Sequence, residues 1–222
     1  MWFSKATKKE IRVNFTRGGM IRPYHGIVLH IMDGFLEGTY GWFNKTREQR
    51  QEDYDAKWER EGRRTAAPVK AYASSAHFGV SVNGRLWQFV DTDHQAWAQD
   101  SGNPYWISIE CEGMGGDSLS DLQIDAVAKF VLWMFQEEKV PMQLANTPSE
   151  FGLGFHSMSP DWHKPACPGS NVIAQRARII QRAEEFLSEE IREIRSQHSP
   201  FTNPGRPVRG EDGSYSYQPD SP

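Results

Sequence analysis

The sequence predicts an α/β domain with a central mixed β-sheet flanked by helices. Three observations predict it: apolar runs of strand length, an Asn-Gly turn between two of them, and two long segments with helical apolar period. The strand candidates are 26–30, 78–82, 85–90 and 107–112. In the last, Ile107, Ile109 and Cys111 face one way and Ser108, Glu110 and Glu112 the other. Asn83-Gly84 asks for a two-residue type I′ hairpin that pairs Val82 with Arg85, Val80 with Trp87 and Phe78 with Phe89, leaving His77 on the opposite face. Ser120 and Gln123 have capping-box spacing. They open a helix with the stripe Ile124, Val127, Ala128, Val131, Leu132 and Phe135, closed by Pro141. A final helix, from about Asn171 to Ser196, is expected to bury Ile173, Ala177, Ile180, Leu187, Ile191 and Ile194.

The 222 residues suit one sizeable domain with a tail. Residues 1–198 form the expected domain, and the charged stretch 44–64 reads as a helical surface insertion started by a Thr46–Gln49 capping box. Within it, Tyr54 and Trp58 are spaced to hold one side against the body. Residues 199–222 turn to Pro, Gly, Ser and charge, and are expected to be a disordered tail or linker. A net charge of −4 without a basic stripe argues against nucleic acid as a partner. The longest apolar run, Phe130 to Phe135, is too short for membrane insertion. Met1 to Glu10 has no apolar h-region, so no secretory signal peptide is expected, and a target outside the cell would need another delivery route. The 12% aromatic share, with eight Trp, suits a rich core or a groove that stacks on sugars and peptides.

Three separated residues are candidate metal ligands. His30 ends an apolar strand, His156 lies in the Gly-rich loop 152–156, and Cys167 lies in Ala166-Cys-Pro-Gly169 before the last helix. Two imidazoles and a thiolate, with a fourth place left for water, suit a catalytic zinc site. Each has a plain alternative. His30 could be a strand-end histidine bonded in the core, and Cys167 could form a disulfide with Cys111, although Cys111 is expected to face the core. His163, four residues before Cys167, competes as a ligand, whereas His77 and His94 read as structural or rim residues.

Four segments, in order, resemble the zinc-dependent N-acetylmuramoyl-L-alanine amidases of phage endolysins and of peptidoglycan recycling, which share their fold with the peptidoglycan recognition proteins. They are Ile27-Val-Leu-His30, then Ser75-Ala-His-Phe-Gly-Val-Ser-Val-Asn-Gly84 running on to Ala96-Trp97, then Ile107-Ser-Ile-Glu-Cys-Glu-Gly113, and His156 onward to Ala166-Cys-Pro-Gly169. The resemblance implies that zinc binds His30, His156 and Cys167, the last standing where some members have Asp. It implies Glu110 as the acid/base, with Glu112 on the same strand face competing. Members that instead place a Tyr just before the His of the second segment find their counterpart in Ala76. The family's Lys two residues before the third ligand is Pro165 here, so Lys164 in a shifted register, or His163, would stabilise the oxyanion. The family's Trp-His is Trp97-Ala98, which removes a substrate contact.

The implied activity is hydrolysis of the amide between the lactyl group of N-acetylmuramic acid and L-alanine, in peptidoglycan or soluble muropeptides, by a monomer with no organic cofactor. The implied setting is phage lysis: synthesis in the host cytoplasm and release to the wall by a holin-type route, with muropeptide recycling as the alternative. A non-catalytic peptidoglycan-binding module is the main rival, and the retained thiolate argues against it. A zinc peptidase is disfavoured because no His-Glu-x-x-His stretch exists.

Overall fold

The computed structural model describes residues 1–62 and 71–197, together with 206–209, 212 and 215–218. Its strands are β1 (Thr7–Lys8), β2 (Phe15–Gly19), β3 (Gly26–Ile31), β4 (Phe78–Val80), β5 (Leu86–Gln88), β6 (His94–Ala96), β7 (Trp106–Cys111), β8 (Gly152–Phe155), β9 (Arg206–Arg209) and β10 (Tyr215–Gln218). The helices are α1 (Leu36–Phe43), α2 (Arg47–Arg60), α3 (Asp121–Glu138) and α4 (Ser170–Gln197). The chain divides into two compact units, residues 1–185 and 186–222. The second holds the end of α4 and the antiparallel pair β9–β10. Most of the tail or linker expected from 199 onward, like residues 63 and 64 of the insertion, lies outside the described residues. Among the described residues no helix is long and apolar enough to cross a membrane.

The main sheet of the first unit is mixed, in the order β1-β5-β4-β7-β3-β8. β3 runs parallel to both β7 and β8, β4 runs parallel to β7, and β5 returns antiparallel to β4. Residues in register on neighbouring strands share a face. Phe78, Ile109 and Leu29 form one such row, and the Phe78 ring lies 4.2 Å from that of Phe130 in α3. The next row, Gly79, Glu110 and His30, lies on the opposite face. There Leu36 of α1 and the Phe89 ring come within 2.7 Å of where a Gly79 Cβ would be, so only glycine fits. Helices therefore cover both faces. The residues of chemical interest lie on the α1 side, where β3 and β7 end.

The hairpin forms in a different register from the expected one. Phe78 pairs with Gln88, Gly79 with Trp87 and Val80 with Leu86. Gly84 N donates to Ser81 O and Ser81 N donates to Arg85 O, so three residues close the loop instead of two. Gly84 takes a φ of +80°, while Asn83 accepts hydrogen bonds from Ser81 Oγ and Arg85 Nε. A type I turn followed by a left-handed glycine is the three-residue hairpin solution. The shift places Gln88 opposite Phe78, so the expected aromatic pairs do not form. Gln88 is buried but satisfied, accepting from Phe3 N at 2.7 Å and donating to Val90 O at 3.0 Å.

α2 and α3 both begin on the expected capping boxes. α3 buries its expected stripe except Phe135, which is 36% exposed, and ends at Lys139 in a left-handed conformation ahead of Pro141. In α2 Tyr54 meets Trp42 edge-on, and Arg50, which is fully buried, donates to the carbonyls of Trp42, Tyr72 and Ser74. The expected line of α4 is corrected. Val172, Arg176, Ile179, Ile180 and Ala183 are buried, whereas Ala177, Ile191 and Ile194 are exposed. The cause is Arg176, whose guanidinium donates to Ala145 O and Leu153 O and so turns its own side of the helix inward.

Two groups near the sheet carry testable energetics. His77 is buried with both ring nitrogens satisfied: Nδ1 accepts from Ser108 N and Nε2 donates to His94 O. Burial first of all lowers its pKa from 6.5 to about 4. The folded state thus keeps His77 neutral while the unfolded chain takes up a proton below pH 6.5. Its contribution is complete above that pH and is lost on acidification toward pH 4, at roughly 1.4 kcal/mol per pH unit. Urea unfolding across that window should show a shallower pH slope for His77→Gln than for the wild type; parallel slopes would assign the effect elsewhere. The second group is Glu112. It is 9% exposed, and its Oε2 accepts from Leu36 N at 3.4 Å, at the start of a helix whose own N-cap, Phe35, offers no side-chain acceptor. Glu112→Ala should cost about 1 kcal/mol in unfolding free energy, the usual worth of a capping carboxylate. An unchanged denaturation midpoint would show that α1 starts without it.

Candidate metal centre and active site

His30 is 2% exposed near the end of β3, and His156 is 5% exposed at the residue after β8. They meet because β3 and β8 pair closely: a Cβ on Gly26 would lie 1.8 Å from Gly152 O, so glycine there permits the approach. The two imidazole centroids are 4.3 Å apart. Cys167 reaches them on a loop held at several points. Cys167 N donates to Lys164 O, Ser157 N donates to Cys167 O at 2.8 Å, and Ile31 N approaches Cys167 Sγ at 3.5 Å. One ligand atom from each of His30, His156 and Cys167 lies within 4.8 Å of the others. Trp162 backs this cluster, with its ring centroid 6.3 Å from that of His156 and 6.1 Å from that of Trp106. Gly102 leaves room for it, since a Cβ there would lie 2.6 Å from the Trp162 ring.

Buried polar atoms are normally hydrogen-bonded, yet His30 Nε2 and both ring nitrogens of His156 are buried without a partner in the chain. Leaving such groups unpaired costs on the order of 1–3 kcal/mol each. Burial is the main cause of every pKa shift in the cluster. It drives His30 well below its ordinary value, takes His156 to about 4, and pushes the Cys167 thiol up to about 12. Both imidazoles are therefore neutral with a lone pair to give, which is the ligating form, and a divalent cation would convert the thiol to thiolate. The residues fit a metal ion, and two imidazoles with one sulfur suit a borderline-soft one.

Beside the cluster, Glu110 stands in register with His30, and its Oε2 is buried without a partner. Burial, then the charge of Asp33, raises its pKa to about 8, against the opposing charge of Lys164. Near neutral pH it thus exchanges between a carboxylic acid, which can give a proton, and a smaller carboxylate fraction, which can take one. Glu112, its competitor, turns to α1. Lys164 is exposed, but its charge acts on Glu110, His156 and Cys167 alike. His163 sits in a left-handed conformation with its ring 3.6 Å from Asp100, pointing to that partner. Both cysteines are free, so the Cys111–Cys167 disulfide does not form.

The structure thus brings together His30, Glu110, His156, Lys164 and Cys167, and directs Glu112 and His163 elsewhere. Sequence reasoning missed Asp33 and Trp162. Asp33-Gly34 after an apolar strand signals a turn, and Asp33 does adopt a φ of +50°, accepting from Gly115 N at 2.8 Å. Nothing local marks Trp162.

Comparison with known proteins places this geometry. Residues 21–170 match the family profile Amidase_2, N-acetylmuramoyl-L-alanine amidase. Among solved structures, the selenomethionine derivative of AmpD is similar with a TM-score of 0.56 at 18% identity, over 81% of this chain and 96% of that one. The Staphylococcus aureus hydrolase AmiA, in complex with its ligand, is similar with a TM-score of 0.50 at 13% identity, over 86% and 87% of the two chains. A point mutant of PlyL gives 0.50 at 15% identity, over 81% and 98%. At these identities the likeness is one of fold. No curated protein sequence matches the chain. The family match covers well over half of the chain and includes His30, Glu110, His156 and Cys167, so the chain belongs to the N-acetylmuramoyl-L-alanine amidase family.

Proposed function

We propose that this protein is a zinc-dependent amidase that cleaves the bond between the lactyl group of N-acetylmuramic acid and L-alanine in peptidoglycan or its soluble muropeptides. One observation carries this reading. Two buried histidines with unpaired ring nitrogens and a half-buried cysteine stand beside a protonatable glutamate whose Oε2 is buried, in a chain of the amidase family.

In this reading His30, His156 and Cys167 hold zinc, which supplies a Lewis acid for the amide carbonyl and lowers the pKa of a water to near neutrality. Glu110 accepts the proton of the attacking water and passes it to the departing L-alanine amine, a role that suits a carboxyl poised near pH 8. Lys164, whose charge already acts on Glu110 and Cys167, stabilises the negative charge growing on the amide oxygen. The low exposure of His30 and His156 keeps bulk water from weakening these interactions. The lytic setting, a phage endolysin released to the wall by a holin-type route, belongs to the proposal; action on soluble muropeptides alone is the recycling alternative.

Mass spectrometry of digested muropeptides should show a free L-alanine amine and an intact lactyl carboxylate. Products cut inside the stem peptide would identify a peptidase, and no product would identify a binding module. Clearing of intact sacculi supports the lytic setting, whereas turnover of soluble muropeptides without clearing places the enzyme in recycling. Glu110→Gln should lower kcat by about 10²-fold or more while zinc content stays at the wild-type level. A variant with near-normal kcat would remove Glu110 from the reaction.

A further inference from the structure

α1 begins on a residue of an unfavoured kind. The N-cap of a helix favours Ser, Thr, Asp or Asn, whose side chains accept from the first free N–H groups. Here it is Phe35, which is 74% exposed and offers no acceptor. Glu112 takes over that task from the end of the neighbouring strand, its Oε2 accepting from Leu36 N at 3.4 Å. A large apolar ring is thus held in water at a position whose local duty another residue performs. Such a departure from local preference, with its compensation in place, points to a second demand on the position. Phe35 stands on a short ribbon beside the metal centre. Past the ends of β3 and β7, Gly34 and Gly113 exchange both backbone hydrogen bonds, at 3.1 and 3.2 Å. The other arm of the ribbon carries Met114, 56% exposed. Three contacts fix that arm. Met114 N donates to Asp117 Oδ2 and Gly115 N to Asp33 Oδ1, both at 2.8 Å, and Gly116 O accepts from Asn171 Nδ2 at 2.7 Å. Its tip lies against the ligand loop: a Cβ on Gly169, two residues after Cys167, would be 3.3 Å from Gly116 N.

We propose that Phe35 and Met114 form a specificity lip: they bind aliphatic side chains of the stem peptide beyond its L-alanine, and so set how long a stem the enzyme prefers. The inference rests on the amidase reading above and adds a hold on the substrate outside the reacting bond. The choice of peptide over glycan follows from what the lip can offer. Its N–H groups at 114 and 115 and its carbonyl at 116 are already engaged within the chain. The hydroxyl and acetamido groups of a glycan covered by such a rim would lose water without gaining partners, which is costly. Methyl and methylene groups lose nothing there and leave water. Phe35 supplies a rigid flat wall, and the flexible thioether of Met114 adapts to varied side chains.

The test pairs a binding readout with a kinetic one. Titration of the zinc-loaded protein with the free stem tetrapeptide should shift the ε-methyl resonance of Met114, assigned from the Met114→Leu spectrum. The peptide-free disaccharide of the glycan should leave that resonance in place. A shift with the disaccharide, or none with the peptide, overturns the proposal. In kinetics, kcat/KM for a muramoyl pentapeptide divided by that for muramoyl-L-alanine gives a stem-length ratio. Phe35→Asn should lower this ratio about tenfold through KM, the order expected for one apolar side-chain contact. Asn is a favoured N-cap residue, so the variant keeps α1 and a lowered ratio does not come from unfolding. A ratio equal to that of the wild type overturns the lip. Wild-type protein that leaves every muramoyl peptide uncut refutes the amidase reading instead, and the methyl titration then still decides whether the lip holds the peptide.

Discussion

The site depends on the register of one strand. β3 is buried at all six positions and paired on both sides, so its near-continuous apolar run is what a central parallel strand requires. Its one strongly polar residue, His30, has Glu110 as its register partner on one side, and the other neighbouring strand delivers His156 just past its end. A slip of one residue would set Ile109 or Cys111 against His30 and turn Glu110 toward α3. The close Gly26–Gly152 approach and the bare Gly79 beside Glu110 are the backbone conditions that hold this arrangement, and any Cβ at these positions would meet neighbouring atoms.

From that register follows an interior that is costly for the apoprotein and useful for chemistry. Burial keeps two imidazoles neutral, a thiol protonated and a carboxyl protonatable within one small volume. Several of their polar atoms lack partners, and the surrounding packing must offset that cost. Trp162, the Cys167 loop and Arg176 supply the support. Arg176 clamps the two carbonyls Ala145 O and Leu153 O, and so fixes the strand that leads into His156. The same burial that destabilises charge is what would let a cation bind tightly and a nearby ammonium act strongly, because both effects grow as water is excluded.

What was legible in the sequence is what local rules determine. Both capping boxes, the α3 stripe up to Leu132, the alternating β7 and the α/β class follow from spacing within one element. The hairpin was legible as a hairpin, but its register turned on whether Asn83 and Gly84 both took positive φ or Gly84 alone did, and Ser81 holds the second arrangement by bonding to Asn83 and Arg85. The α4 line was misjudged because apolar patterning cannot foresee a buried Arg176, and Arg50 in α2 escaped for the same reason. The residue types of the candidate site were visible, yet their meeting was not. His30, His156 and Cys167 converge only through strand pairing across the whole domain, and residue spacing carries no sign of it; the ordered family segments supplied that.

The central claim is that the fold gathers His30, His156 and Cys167 into one metal site. X-ray absorption at the zinc edge tests it most directly, using protein loaded with one equivalent of Zn²⁺. The account predicts a first shell with one sulfur at about 2.3 Å and two imidazole nitrogens at about 2.0 Å, the sulfur disappearing in Cys167→Ser. A shell of oxygen and nitrogen alone, or one that Cys167→Ser leaves unchanged, would contradict it.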